Sequence, residues 1–327
     1  MKILFLSNSQ NVNVGSYRIW INDLNSYFRE CGIDSIITSE LANIDDCDVV
    51  ICGKSDVHSA IEIKRRFPNK KVGVINLAAD KKGLPIDFVI VGSLEEADSL
   101  SDYGNAFLYP LIEKMYQNKM DYKIHSSVNK LRIGFHGHYP HLSKFEPRLK
   151  NALERFNDIC NIELLIITGN PEFKWKHGRP NIDITHKPWN LNTIKNDLLS
   201  CDIGVVPNVT SPDTKNMPTL ADRGLYNTDY MLRFKNKSNA GRCFVFHQLG
   251  IPVVADFTPS NFHILGDPKN GFVAHGENGW LKALIKLQDH KLRQRIADNA
   301  KVEFDRLYNP HDWAMRLYEN ILEINNE

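Results

Sequence analysis

The sequence lacks an excess of either charge, a cysteine-rich motif and any long apolar run. Its 40 Lys and Arg balance 39 Asp and Glu, so no overall field attracts nucleic acid, and we expect no nucleic-acid partner. The six cysteines show no CxxC pair or zinc-like spacing, which is typical of reduced thiols in a cytosolic protein. The apolar runs are shorter than the roughly 20 residues of a membrane span. Because Met1 leads directly into a predicted strand, we expect no signal peptide and a cytoplasmic protein, with peripheral association at the inner face of the membrane left open.

The first third of the chain alternates short apolar segments with segments of helical apolar spacing. Strands are predicted at 2–7, 34–39, 48–53, 71–76 and 87–93, and helices at 16–31 and about 57–67. Apolar strands separated by helices are typical of a parallel sheet that is covered on both faces. The polar stretch 113–130 resembles a linker.

The same alternation begins again after this polar stretch. Strands are predicted at 131–137, 162–169, 181–189, 202–208, 252–256 and 270–276, and helices at 143–158, 190–201, 239–249, from 280, from about 290 and at 309–325. The pattern indicates two doubly wound, Rossmann-like α/β domains. Ligands of such sheets bind beyond the carboxyl ends of the strands, so these ends are where we expect functional residues.

The stretch "KSNAGRCFVFHQLGIPVVAD" (237–256) predicts a helix with an unusual charge distribution at its start. Helix N-termini favour negative charge, yet Lys237 and Arg242 lie there with no acid nearby. Free backbone N–H groups, Gly241 without a side chain and two cations together are typical of a phosphate site. The alternative is that both cations are solvated and tolerate a dipole cost of about 0.3–1 kcal/mol each. If Arg242 serves a ligand, Arg242→Ala abolishes turnover without unfolding the protein.

Three segments in a fixed order resemble the donor-binding half of the GT-B glycosyltransferases, near the large retaining group called family 4. They are "CDIGVVPN", "KNKSNAGRCFVFHQLGIPVVAD" and "NGFVAHGENGWLKALIKL", and "LRIGFHGHYPHL" resembles the opening of the same domain. The likeness covers about 131–305, and over 1–112 only the strand order and "SNSQNVNVGSYR" support it. The family usually places two glutamates, separated by seven residues, where this chain has Lys237 and Val245. Donor identity and stereochemistry therefore stay open.

The resemblance implies a GT-B architecture, with two Rossmann-like domains facing across a cleft and a C-terminal helix that crosses back. The expected domains are an acceptor-side domain at 1–125, a nucleotide-sugar domain at 126–305 and the terminal helix at 306–327. The implied activity is transfer of a sugar from a nucleotide-sugar donor to a saccharide or lipid-linked glycan acceptor, without a metal or another cofactor. A role in bacterial surface-polysaccharide assembly is implied by family analogy alone.

The resemblance also implies residues for the donor. Those expected to contact its phosphates or sugar are Lys237, Ser238, Asn239, Gly241, Gly137 and His138. Arg242 would offset charge on the leaving phosphate, and His136 is a second catalytic candidate. Trp189 would face the nucleobase, whose edge the backbone of Lys187 would read. The alternatives are an ordinary turn with solvated histidines and a core tryptophan that anchors a loop.

In the first domain, the "VGSYR" loop is the part that the family places against the donor. Gly15 and Ser16 would approach the transferred sugar, and Arg18 would bind an acidic acceptor or a phosphate. Asp80, after the fourth strand, is the candidate general base, with a helix cap as its alternative role and Glu113 as a weaker candidate. The long segment 209–236 is expected to form a flap or an acceptor wall.

Two other functions fit the same architecture. A nucleotide-sugar epimerase would need several acids around the sugar, and no glutamate lies near the predicted anion site. A degenerate GT-B protein serving as a binding or chaperone subunit would explain the missing glutamates, but Lys237, Arg242 and the glycine loops are retained. The "DDCD" turn (45–48) lies at the wrong end of a strand for a metal-dependent transferase.

Overall fold

Two compact units make up the described part of the chain. The computed structural model describes residues 1–41, 44–77, 83–100, 105–118, 120–143, 148–170, 172–208, 239–266 and 268–326. Described residues of 1–115, 239–241 and 305–327 form the first unit, and those of 116–238 and 242–304 form the second. Each unit is built on its own six-stranded parallel sheet.

The sheet of the first unit has the order β2-β1-β3-β4-β5-β6. Its strands are β1 (Ile3–Leu6), β2 (Ser35–Thr38), β3 (Val49–Cys52), β4 (Lys71–Ile75), β5 (Phe88–Val91) and β6 (Ala106–Leu108). Its helices are α1 (Gly15–Tyr17), a π-helical segment (Arg18–Asp23), α2 (Leu24–Glu30), α3 (Val57–Arg66), α4 (Leu94–Ser99) and α12 (Pro310–Asn326), and a short 3-10 turn is Lys114–Tyr116. Strands β1, β3 and β5 are buried along their whole length, because helices cover both faces.

The sheet of the second unit has the order β12-β11-β10-β7-β8-β9. Its strands are β7 (Leu131–His136), β8 (Ile162–Thr168), β9 (Asp183–Pro188), β10 (Ile203–Val206), β11 (Val253–Asp256) and β12 (Phe272–Ala274). Its helices are α5 (Pro140–Ser143), α6 (Arg148–Asn157), α7 (Ile194–Leu199), α8 (Gly241–Gln248), α9 (Pro259–Leu265), α10 (Glu277–Lys286) and α11 (His290–Leu307). Every strand pair in both sheets is parallel, which confirms the predicted fold class.

Several elements were not predicted because their sequences carry weak periodicity. Strand β6 is short, and α4 and α9 are short helices that side-chain caps begin. Ser93 Oγ accepts the N–H of Glu96 (3.1 Å), and Thr258 Oγ1 accepts the N–H of Asn261 (3.0 Å). The single helix predicted at 16–31 contains a π-helical segment in its middle, which apolar spacing does not reveal.

Residues 122–126 of the predicted linker are hydrogen-bonded to the second unit. Lys123 donates its backbone N–H to Leu249 O (2.9 Å), and the His125 ring lies 2.9 Å from Gly250 O through Nε2. Arg293 Nη2 donates to Ser126 O (2.8 Å). The polar residues that suggested solvent exposure instead find hydrogen-bond partners around the end of α8 and on α11.

The terminal helix α12 packs on α2 within the first unit. Leu317 and Ile321 are buried in the same apolar cluster as Phe28, whose ring meets Tyr318 edge-on at 6.3 Å. At the rim of this contact, His311 Nε2 lies 2.8 Å from Glu30 Oε2. The amphipathic pattern of 309–325 thus serves to cover the first sheet's outer helix.

Gly250 ends α8 with φ +69°, and its packing generates a stability prediction. A Cβ at this position would come 2.3 Å from the Tyr122 ring, whereas Gly266 (φ +48°) has open space around it. We expect Gly266→Ala to cost about 1–2 kcal/mol of unfolding free energy through its left-handed backbone alone. Gly250→Ala should cost about 1–3 kcal/mol more, because Tyr122 must also move. Urea denaturation followed by circular dichroism measures both, and equal losses would contradict the Tyr122 contact.

Candidate functional site

The second sheet changes winding direction between β7 and β10. From β7 the chain adds β8 and β9 on one side, and it then returns to place β10 on the other side. In doubly wound sheets, ligands bind beyond the carboxyl ends of the strands at this point, where the two crossovers diverge. The residues that follow β7 and β10 are therefore the first place to look for a site.

Arg242, the second residue of α8, lies at this point. Its Nη2 donates to Pro207 O (2.9 Å) and to Asn208 Oδ1 (2.7 Å), both just after β10. On the β7 side, Gly137 has φ +115°, and a Cβ there would come 3.2 Å from Cδ of Arg242. The guanidinium is thus bonded to the residues after β10, and the aliphatic part of the same side chain lies beside Gly137 at the end of β7.

The oxygens that accept hydrogen bonds from the Arg242 guanidinium are neutral. In the described part of the chain no carboxylate forms an ion pair with it, and its buried Nη1 has no hydrogen-bond partner there. Burial lowers the pKa of Arg242 to about 10, with weaker opposing effects of Cys243 and Asp256. The group is still protonated at neutral pH. A cation that burial destabilises, and with which no acid in the described residues forms an ion pair, is suited to binding an anion.

The start of α8 carries no acidic residue in its first turn. Asn239 Oδ1 accepts the N–H of Gly241 (3.2 Å), so Asn239 holds the first turn as a local cap. Gly241 and Leu111 both belong to the first unit, and a Cβ on Gly241 would come 3.1 Å from Cβ of Leu111. Gly241 therefore has a packing reason to lack a side chain, and its predicted approach to a phosphate stays a prediction. Lys237 and Ser238 lie outside the described residues.

The two predicted donor-side histidines occupy different surroundings. His136, the last residue of β7, is buried, and its ring meets Phe246 of α8 edge-on at 5.1 Å. His138 is exposed, with ring centroids of Tyr139 at 5.4 Å and His141 at 6.4 Å. His138 is thus the accessible one, and a catalytic role for His136 stays a prediction.

Strand β9 ends in the predicted nucleobase region. Its Lys187 forms an ion pair with Asp197 of α7, so the side chain has an internal partner. The backbone N–H of Trp189 donates to Thr168 O (2.9 Å), which continues the β8–β9 pairing, while the Trp189 side chain is only half-buried. Successive strand residues turn their backbone groups to opposite sides. The bond from Trp189 therefore places the backbone N–H and C=O of Lys187 towards β8, while those of His186 point outward from this edge strand.

An aromatic group near the same strand ends was missed by the sequence reasoning. The rings of Tyr139 and Phe173 stack at 5.4 Å with 13° between their planes, and Trp175 and His186 adjoin Phe173 at 5.1 Å and 5.5 Å. The signal was present as "HYPH" after β7 and "PEFKW" after β8. Each follows a strand at its carboxyl end, which is the same criterion that selected Trp189.

In the first unit, Arg18 forms a buried ion pair. Its Nη2 lies 2.7 Å from Glu113 Oε2, and its Nη1 donates to Val12 O (2.9 Å). Burial raises the pKa of Glu113, and Arg18 opposes this rise. Because Arg18 already has an anionic partner, its binding of an acidic acceptor stays a prediction. A Cβ on Gly15 would meet only atoms 3.9 Å away, so this glycine has room to spare beside the exposed Ser16.

Some predictions fall where the structure makes no statement. Asp80 and the segment 209–236 lie outside the described residues, so their predicted roles stay predictions. Among the residues that are described, no three His, Cys, Asp or Glu side chains group to hold a metal ion. No helix in those ranges combines the length and apolar character needed to cross a bilayer.

Neither a protein-family model nor a curated protein matches the sequence. Similar solved structures exist. Sucrose-phosphate synthase from Thermosynechococcus elongatus has a TM-score of 0.64 at 10% identity, covering 99% of both chains. HepE from Anabaena has a TM-score of 0.62 at 13% identity, covering 99% of this chain and 100% of that one. TarM from S. aureus has a TM-score of 0.60 at 14% identity, covering 85% of this chain and 55% of that one.

These likenesses concern the fold. The chain spans about half the length of TarM, but it matches the other two over nearly their entire length. Together with two parallel six-stranded sheets, the full-length matches show that this chain has the GT-B glycosyltransferase fold.

The internal hydrogen bonds of Arg242 change the expectation for its removal. Arg242→Met keeps much of the packing but leaves Pro207 O and Asn208 Oδ1 without their donor. We expect a loss of about 1–3 kcal/mol in unfolding free energy. The control, Arg155→Met, breaks a surface ion pair with Glu277 and an exposed hydrogen bond to Asn278 Oδ1, and it should cost about 0–1 kcal/mol. Urea denaturation compares them, and equal costs would show that the Arg242 bonds contribute nothing to stability.

Proposed function

We propose that the protein is a glycosyltransferase that takes its sugar from a nucleotide-sugar donor bound at the second unit. The observation that supports this most is the charge of Arg242, which lies beside the ends of β7 and β10 and forms no ion pair with an acid in the described residues. The GT-B fold adds support, since HepE was solved with UDP-glucose and TarM with UDP.

Arg242 would act on the donor's phosphates. As the bond between the sugar and the phosphate breaks, negative charge grows on the departing nucleotide. A fixed cation stabilises this charge without reorganising, which is the electrostatic effect that contributes most to such reactions. The backbone N–H groups at the start of α8 would add to it. In this proposal charge stabilisation comes from the protein, and no metal ion is required.

The nucleobase would lie along the end of β9. The half-buried Trp189 supplies an aromatic face, and the outward backbone groups of the edge strand supply donors and acceptors for the base edge. Gly137 and His138 would flank the phosphates or the sugar. The acceptor in this proposal is a saccharide or lipid-linked glycan, with bacterial surface-polysaccharide assembly as the setting and peripheral membrane association compatible with it.

A thermal-shift panel of UDP, GDP, CMP, dTDP and inorganic pyrophosphate tests the proposal. At a concentration one hundred times its Kd, a ligand that binds only the native state stabilises it by about 2.7 kcal/mol. We expect one nucleotide to raise the melting temperature, and Arg242→Met to abolish the response to both that nucleotide and pyrophosphate. A wild-type protein that responds to none of the nucleotides would contradict the proposal.

Trp189→Ala tests the binding of the nucleobase independently of the binding of the phosphates. Loss of one stacking face should weaken the nucleotide by about 1–3 kcal/mol, while the response to pyrophosphate stays unchanged. The control is Trp313→Ala, which removes a partly buried tryptophan from the first unit and should leave both responses intact. Equal weakening by the two variants would exclude Trp189 as the base platform.

A further inference from the structure

The first sheet has its own change in winding direction, between β1 and β3. Asn8 follows β1 and Asp56 follows β3, and Asn8 Nδ2 donates to Asp56 Oδ1 at 2.7 Å. Asp56 is buried, with 5% of its surface exposed, whereas Asn8 is exposed. The pair thus joins the two strand ends at the place where doubly wound sheets bind ligands.

The surroundings of Asp56 differ from those of an ordinary helix cap, although a negative charge is favoured at the start of a helix. It occupies the N-cap position of α3, yet its side chain makes no capping hydrogen bond. In the described ranges it forms no ion pair, and only Asn8 hydrogen-bonds its carboxylate, through Nδ2 and the backbone N–H. Burial raises the pKa of Asp56, and the bonds from Asn8 oppose the rise. A carboxylate that is buried without a cation is costly, and such groups cluster at functional sites.

The local backbone makes room for this carboxylate. A Cβ on Gly53 would come 2.8 Å from Asp56 Oδ2 and 3.2 Å from Ile21 Cδ1, so a larger residue there would have to displace the Asp56 carboxylate. The Gly53 backbone N–H donates to Leu6 O (3.1 Å), and its carbonyl accepts the N–H of Asp56 (2.9 Å). The chain between β3 and α3 is therefore shaped around the side chain of Asp56.

The chemistry of the pair matches a sugar ring. A carboxylate has about four acceptor positions, so Asp56 can accept further bonds beyond those from Asn8. The Asn8 amide still has a second Nδ2 hydrogen and its Oδ1, for which the described residues offer no hydrogen-bond partner. Neighbouring hydroxyls each donate and accept, and an adjacent acceptor and donor satisfy both at once.

The geometry points to the Asn8–Asp56 pair as a subsite of the first unit that binds hydroxyl groups of a neutral saccharide, which would be the acceptor. The inference that this saccharide is the acceptor rests on the proposed function. The inference that Asn8 and Asp56 bind a saccharide rests on their own geometry. The ligand class is an uncharged polyol, because the pair offers one negative carboxylate and one neutral amide.

Saturation-transfer NMR and titration with methyl glycosides of glucose, galactose, mannose and N-acetylglucosamine test the subsite on the full chain. We expect at least one glycoside to bind the wild type at millimolar concentration. Asp56→Asn keeps an oxygen for Asn8 but loses the charge, so affinity should fall about tenfold, since charge-assisted hydrogen bonds are roughly twice as strong as neutral ones. Asn8→Ala changes an exposed position and should weaken glycoside binding by several fold. This variant tests the subsite if Asp56→Asn does not fold.

Asp48→Asn is the matched control. Asp48 is exposed at the opposite end of β3 and accepts the backbone N–H of Lys2 (2.7 Å), so this variant should bind glycosides as the wild type does. Equal affinity of Asp56→Asn, Asn8→Ala and wild type would overturn the subsite, as would a wild type that binds no glycoside in the panel. The nucleotide panel is an independent readout. A nucleotide response without glycoside binding refutes the subsite alone, whereas glycoside binding without a nucleotide response refutes the proposed function.

Discussion

A buried guanidinium with no ion-paired acid among the described residues is the constraint on which the second unit's site depends. Arg242 donates to Pro207 O and Asn208 Oδ1, and these bonds fix where β10 ends relative to the start of α8. Gly137 has φ +115°, which favours glycine, and a Cβ there would come 3.2 Å from Cδ of Arg242. The cation is therefore oriented before any ligand arrives, and an incoming phosphate need not reorganise it.

The two units place opposite chemistry at equivalent points of the same topology. At the change in winding of the second sheet the fixed charge is positive, while in the first sheet it is the carboxylate of Asp56. Arg18, the first cation after β1 in the sequence, forms an ion pair with Glu113. Two copies of one topology can thus bind an anionic ligand and a neutral ligand, because a few side chains at their strand ends differ.

The sequence predicts the sheets well because buried parallel strands are apolar runs, as in "KILFLS" and "IELLIITG". It does not predict partners that are distant in the chain. Glu113 lies 95 residues beyond Arg18, and Asn208 lies 34 residues before Arg242, so neither pairing leaves a local pattern. Like Asp80, Asp56 is a carboxylate that follows a strand in the sequence. The burial of Asp56 and its hydrogen bond from Asn8 appear only in three dimensions.

The π-helical segment Arg18–Asp23 bears on how the first unit tolerates changes in length. Such a segment holds one residue more than an α-helix needs, so losing one residue there would leave an unbroken α-helix. The widened turn of the segment absorbs this surplus residue, so the residues before and after it would keep their present orientation if it were lost. The surplus residue thus makes this helix easy to shorten without displacing the elements on either side of it.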